Sequence, residues 1–316
     1  MPDPHFIAYA EEFHDVIGPD PGYETVPNVS AHEGPVYVRD WDAVLFTSVP
    51  TISNVPAFGD RHVSIGKLDV RSLHVETWLE TTNAANGMTL DRDGRLLICE
   101  QGSFTTPAGI SRVDLQTQRR EVVVDHWLGQ PFNSTNDVVV KSDGTIWFTD
   151  PCYGSLQGFR PAPLVGSYVY RYDPADGSVN VVADSFNKPN GLAFSGDESI
   201  LYINDSGAIQ GPGTYYPQLP HHIRAFDVVD GRRLTGDRHF ATVVPGIPDG
   251  LKVDSQGRVY SSCFSGVKVY DRGGKLLGEI AAPGVANFCF GGANDNMLFM
   301  MCDSAIHIAT IAATGA

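Results

Sequence analysis

A repeat runs the length of the chain and restricts its possible folds more than any other feature. Six segments align without a gap on one marker residue each. They begin at Glu33 (EGPVYVRDWDAVLFTS), Asn86 (NGMTLDRDGRLLICE), Asn136 (NDVVVKSDGTIWFTD), Asn190 (NGLAFSGDESILYIND), Asp249 (DGLKVDSQGRVYSSC) and Asn287 (NFCFGGANDNMLFMM). Four markers precede Gly, one precedes Asp137 and one Phe288. Seven residues after each marker stands a turn former: Asp40, Asp93, Asp143, Asp197, Gln256 or Asn294. A run rich in apolar and β-branched residues starts ten residues after each marker. The unit is therefore strand, tight turn, strand. Asp-Gly at 93–94 and 143–144 is a two-residue hairpin signal, because Gly tolerates the positive φ that such turns need.

Two further strand candidates follow each hairpin, as at 109–115 and 119–127, 166–174 and 178–185, or 266–272 and 275–282. Marker spacings are 53, 50, 54, 59 and 38 residues. Four-stranded units repeated around an axis make a β-propeller. The expected fold is all-β: a six-bladed β-propeller with four-stranded blades. Sandwiches, barrels and solenoids also repeat hairpins, but constant offsets in six units favour the propeller. The WD40 type is disfavoured because no Trp-Asp ends a strand, and kelch because Gly-Gly pairs are not periodic. The last unit has room for only three strands, and an unclosed ring would expose strand edges. The segment YETVPNV (23–29) is expected to supply the missing outer strand, closing the ring. Residues 1–20 are then an N-terminal arm, and 21–316 a single propeller domain.

Charge narrows the partners. Lys plus Arg number 22 against 37 Asp plus Glu, a net charge of −15, and no basic cluster interrupts it. Nucleic acid and anionic membranes are excluded as expected partners. The start, MPDPHFIAYAEEF, has no basic residues followed by an apolar run, so no secretory signal is expected there. No stretch approaches the length of a membrane span. Five cysteines without a C-x-x-C read as reduced core residues of a cytoplasmic protein, monomer or homo-oligomer.

In a propeller the first strand of each blade lines the central channel, so the six markers converge at one end of the axis. All six bear side-chain oxygen, two are carboxylates and none is Lys or Arg. Such a set suits one hard divalent cation, Ca²⁺ first, with Mg, Mn, Zn or Fe as alternatives. The bland account of any single marker is that Asn-Gly or Asp-Gly begins a strand after a turn.

At this point the residues resemble a family. The segments HEGPVY (32–37), FNSTNDVVVKSDGTIWFTDPCYG (132–154), KPNGLAFSGDESILYIND (188–205), PDGLKVDSQGRVY (248–260) and ANFCFGG (286–292) are similar to the gluconolactonase and regucalcin (SMP-30-like) family, especially its microbial lactonohydrolase branch. The resemblance covers roughly 22–311. It implies that Glu33, Asn190 and Asp249 are core metal ligands and that Asn136 is a fourth. Asn86, Asn136 and Tyr153 are the implied substrate contacts. The implied reaction is hydrolysis of a small sugar or aliphatic lactone, the cation polarising the carbonyl and acidifying a water. Asp249 is the candidate general base and Glu33 the second.

Departures from the family pattern limit the substrate. Regucalcin-type sugar lactonases carry Arg two residues before the Asn136 equivalent and Glu near Tyr153; here Ser134 and Tyr153 stand there. The 207–220 loop is long enough to overhang the pocket, and His221-His222 beside it reads as a solvated pair. His32 precedes a marker, and strand alternation aims it away from the ion. Trp41, Phe58 and Trp127 are apolar residues expected on blade faces. No G-x-S-x-G, G-x-G-x-x-G or P-loop is present, so neither a Ser nucleophile nor a nucleotide cofactor is indicated. Two other functions share these residues: phosphotriester or fluorophosphate hydrolysis at the same ion, and a non-catalytic binding propeller.

Overall fold

The computed structural model describes residues 3–52 and 61–316. Six antiparallel blades of four strands follow the six markers, one of them extended by a fifth strand. Blade 1 comprises Glu33–Val38, Ala43–Thr47, Ile65–Asp69 and Val75–Leu79; blade 2 comprises Ala85–Leu90, Leu96–Glu100, Gly109–Val113 and Arg120–Val124. Blade 3 runs from Val138–Val140 to Ser178–Ala183, and blade 4 from Pro189–Phe194 to Arg233–Thr242. Blade 5 runs from Leu251–Val253 to Leu276–Ala281. Blade 6 is made of Asn287–Gly291, Met297–Met301 and Asp303–Thr310, completed by Gly22–Ala31. Gly22 pairs with Thr310 and Ala31 with Asp303, so an N-terminal strand closes the ring as expected.

The hairpins differ in detail from the two-residue form. Asp91 N donates to Arg95 O and Gly94 N to Asp91 O, with Gly94 at φ 75°. The loop thus has three residues with the left-handed Gly last, the arrangement of a type I turn followed by a Gly bulge. Asp91 Oδ1 accepts the Asp93 and Arg95 N–H groups, which tightens the same turn. Lys141–Thr145 and Asp254–Arg258 repeat it.

Apolar clusters lie between neighbouring blades. One joins Leu97, Cys99 and Ile110 of blade 2 to Ile146, Phe148 and Tyr170 of blade 3. Flat sheets stacked radially can bury both faces only against neighbours, which is why the ring must be complete. All five cysteines are free thiols, and four are buried. Trp41 packs on Trp78, and Trp127 on Tyr168 and Tyr170; Phe58 lies outside the described residues.

The first residues also join a blade. Phe6–Ala8 pairs with Leu276–Ala281 as a fifth strand of blade 5. The short helix Phe13–Ile17 buries Phe13 and Val16. Phe13 sits where a side chain on Gly278 would be, since an added Cβ there would lie 2.3 Å from the ring. No helix of the described residues is long and apolar enough to cross a membrane.

Candidate active site

Five of the six markers, Glu33, Asn86, Asn136, Asn190 and Asp249, face one cavity of about 650 Å³ at an end of the propeller axis. Each stands at, or within two residues of, the start of its blade's innermost strand. Asn287 stands behind Glu33 instead. Its Nδ2 donates to Glu33 Oε2 over 2.8 Å, and Gly34 N donates to the same oxygen over 3.1 Å. That leaves Glu33 Oε1 with no hydrogen bond from the described residues.

The Gly after a marker has a specific task. Gly191 N donates to Asp249 O, and a Cβ on Gly191 would lie 2.2 Å from that oxygen. Gly87 N meets Asn136 O in the same way, with its added Cβ at 2.5 Å. The backbones of Asp249 and Asn136 are therefore seated directly on the preceding blade. A turn preference alone does not account for this contact.

The electrostatics are those of crowded acids. Burial, and then the charge of Glu33, push the Asp249 carboxyl well above the ordinary carboxylate range; His32 and Asn190 oppose the shift. Among the described residues Asn86 Oδ1 is buried without a hydrogen-bond partner. Tyr153, in the short helix Tyr153–Leu156, brings its hydroxyl to 3.5 Å from Asn190 Nδ2. Burial, then Asp249, raises the pKa of that phenol. Among the described residues no three His, Cys, Asp or Glu side chains are placed to hold a metal ion by themselves, and the markers at this centre are two carboxylates and three amides.

His32 departs from expectation. It lines the cavity, with Nδ1 2.6 Å from Asp303 Oδ1. It occupies the one-residue gap between Gly22–Ala31 and Glu33–Val38, so the alternation of neither strand governs it. Burial opposes its cation, yet Asp303, Glu33 and Asp249 raise its pKa overall. The 207–220 loop does overhang the cavity, through Ile209 and Pro212. His221 and His222 stay half-buried and do not line it. Ser134 is fully buried; its hydroxyl donates to Pro151 O and accepts from Gly154 N, fixing the turn that carries Tyr153.

A second set of residues went unnoticed in the sequence. Asp150 ends the second strand of blade 3, and its oxygens accept Asn133 N and Ser134 N, both at 2.8 Å. Asp205 does the same for Asn187 N and Lys188 N in blade 4. Glu100 accepts Asn83 N in blade 2. Each acid thus ties down the backbone two or three residues ahead of an Asn marker. The signal was present, since these acids fall 14, 14 and 15 residues after Asn86, Asn136 and Asn190. Behind this segment, the buried Arg160 guanidinium donates to the carbonyls of Phe132, Asn133, Ser103 and Thr106.

Fold and cavity together define a six-bladed propeller with an oxygen-lined axial site. The chain belongs to the SMP-30/Gluconolactonase/LRE-like family, whose pattern matches residues 31–303. It is 29% identical over 287 residues to a gluconolactonase of Zymomonas mobilis, covering 88% of this chain and 78% of that protein. It is 29% identical to a lactonohydrolase of Aspergillus oryzae, covering 90% and 69%. Among solved structures, a gluconolactonase of Xanthomonas campestris superposes with a TM-score of 0.78 at 33% identity, covering 97% of this chain and 94% of that one.

Proposed function

We propose that the protein is a cation-dependent lactonase that hydrolyses a small sugar or aliphatic lactone to its hydroxy acid. The observation that carries this reading is the meeting of Glu33, Asn86, Asn136, Asn190 and Asp249 in one axial cavity of a gluconolactonase-family chain. The relatives named gluconolactonase and lactonohydrolase support the reaction class.

The donor set fits a hard cation. Two marker carboxylates share the cavity, and among the described residues Glu33 Oε1 accepts no hydrogen bond and the buried Asn86 Oδ1 lacks a partner. An unpartnered buried acceptor is costly unless a ligand or water completes it. Glu33, Asn136, Asn190 and Asp249 would hold the ion, with Ca²⁺ the first choice by oxygen-donor chemistry. A divalent cation bound there polarises an ester carbonyl and lowers the pKa of water.

The chain's own residues do the rest. Asn287 and the Gly34 N–H fix Glu33. Asn86 and Tyr153 position the substrate from adjoining walls. Asp249 takes the proton of the attacking water as general base, with Glu33 as second candidate. The test is a pH-stat assay on a lactone panel, with and without chelator, followed by add-back of Ca²⁺, Mg²⁺, Mn²⁺, Zn²⁺ and Fe²⁺. Acid release that stops on chelation and returns with one metal is expected. Full activity after exhaustive chelation would refute the cation dependence, and silence on every lactone the reaction class.

A further inference from the structure

The cavity wall changes character around the axis. On the side of blades 4 and 5 it is apolar, with Ile209, Pro212 and Ile247. On the side of blades 1 and 2 it carries Arg61 and Gln101. Blades 1 and 4 stand opposite each other in a six-bladed ring. Arg61 is the one Lys or Arg among the described residues lining the cavity. It comes from the connection between the second and third strands of blade 1, away from any marker segment.

Two contacts place this residue. Its backbone pairs with Ile52. Its guanidinium carbon lies 5.3 Å from the ring centre of Phe159, which is 1% exposed. A guanidinium held over a buried ring loses less freedom when it binds a ligand than one free in solvent.

The charge inventory gives that cation a meaning. Glu33, Asp249 and Asp303 all line the same cavity. An anionic ligand entering a site of three acids needs a compensating charge, and the planar fork of Arg matches a carboxylate in two parallel hydrogen bonds. We infer that Arg61 is a specificity determinant that recognises a free carboxylate on the lactone, remote from the ring ester. The preferred substrates are then lactones that retain one acid group, held with that group toward blade 1. This rests on the lactonase reading and narrows it.

The test uses two probes with the same ring: glucono-1,4-lactone and glucaro-1,4-lactone, which carries a carboxylate in place of the primary alcohol. The native enzyme is expected to favour the carboxylate-bearing lactone in kcat/KM. In Arg61→Gln the ratio of the two kcat/KM values falls about tenfold to a hundredfold, the range of a charge-assisted pair, and Arg61→Lys restores part of it. An equal ratio in the native protein and Arg61→Gln overturns the inference. Calorimetry with the ring-opened acids, on protein supplied with Ca²⁺, gives a reading independent of turnover. Glucarate should bind more tightly than gluconate to the native protein and lose that advantage in Arg61→Gln; equal binding in the native protein counts against Arg61. Failure to hydrolyse either lactone would count against sugar lactones and leave the reaction class to the wider panel, while the calorimetric preference would still decide the role of Arg61.

Discussion

Replacing Asp150 by Asn should change the pH dependence of folding in a calculable way. The side chain is fully buried at the end of a strand, where it accepts Asn133 N and Ser134 N at 2.8 Å. Burial pushes its carboxyl up to about 7, against the pull of those two N–H groups and of Arg160. An unfolded Asp titrates near pH 3.9. Because the folded value is the higher one, the native state binds more protons between about pH 4 and pH 7. Stability from this group is therefore greatest at low pH, declines as pH rises through that window, and levels off above it. The gap of about 3 units corresponds to about 4 kcal/mol, of which about 2.5 kcal/mol is expressed between pH 5 and pH 8. Asp150→Asn has nothing to titrate at that position. It also turns an amide NH₂ toward a backbone N–H, a constant penalty of about 1–3 kcal/mol. Urea unfolding, followed by tryptophan fluorescence, should show the variant faring about 2.5 kcal/mol better relative to the native protein at pH 8 than at pH 5. An offset equal at the two pH values, or larger at pH 8, would mean that the backbone N–H groups and Arg160 hold the carboxylate as an anion, and the reasoning fails.

Asp249→Asn should lower kcat by about 100-fold or more at saturating cation, the scale of a lost general base; a near-normal kcat would remove Asp249 from that role. Gly191→Ala should place a Cβ 2.2 Å from Asp249 O. It is expected to cost about 1–3 kcal/mol in unfolding free energy and to weaken cation binding measured by titration. An unchanged unfolding midpoint with unchanged affinity would show that the two blades are not seated on each other as described.

The propeller was legible because its unit cannot bury its faces alone. The marker offsets therefore had to recur in every blade, and the missing strand had to come from residues 22–31. What escaped the sequence was set by contacts between distant segments. Phe6–Ala8 is too short to show a period, and its place is decided by pairing with blade 5 and by Phe13 filling the space over Gly278. Strand alternation does not place His32, because it holds only inside a strand and His32 stands between two. Arg61 gave no signal, since it is brought to the cavity by a connection rather than by the repeat.

The anchoring acids follow a rule that joins fold to site. Blades 2, 3 and 4 have amide markers, Asn86, Asn136 and Asn190, and each ends its second strand in an acid, Glu100, Asp150 or Asp205; blade 6, with the amide marker Asn287, ends its second strand in Met301 instead. Blades 1 and 5 have carboxylate markers, Glu33 and Asp249, and there the corresponding residues are hydroxyls, Thr47 and Ser262. In blade 5, Ser262 Oγ accepts Gly250 N over 2.7 Å, so a neutral group ties the backbone just after the marker, whereas in blade 1 Thr47 Oγ1 is buried without a partner among the described residues. Placing two carboxylates on one blade near the axis would set one buried charge against another, and burial alone already raises the pKa of Asp150. Asp137 in blade 3 is the exception, and its carboxyl is pushed up to about 6, by burial first and then, in the same direction, by Glu33. The division spares the two acidic markers an acid at the end of the neighbouring second strand. Those are the two positions where the proposed chemistry needs charge.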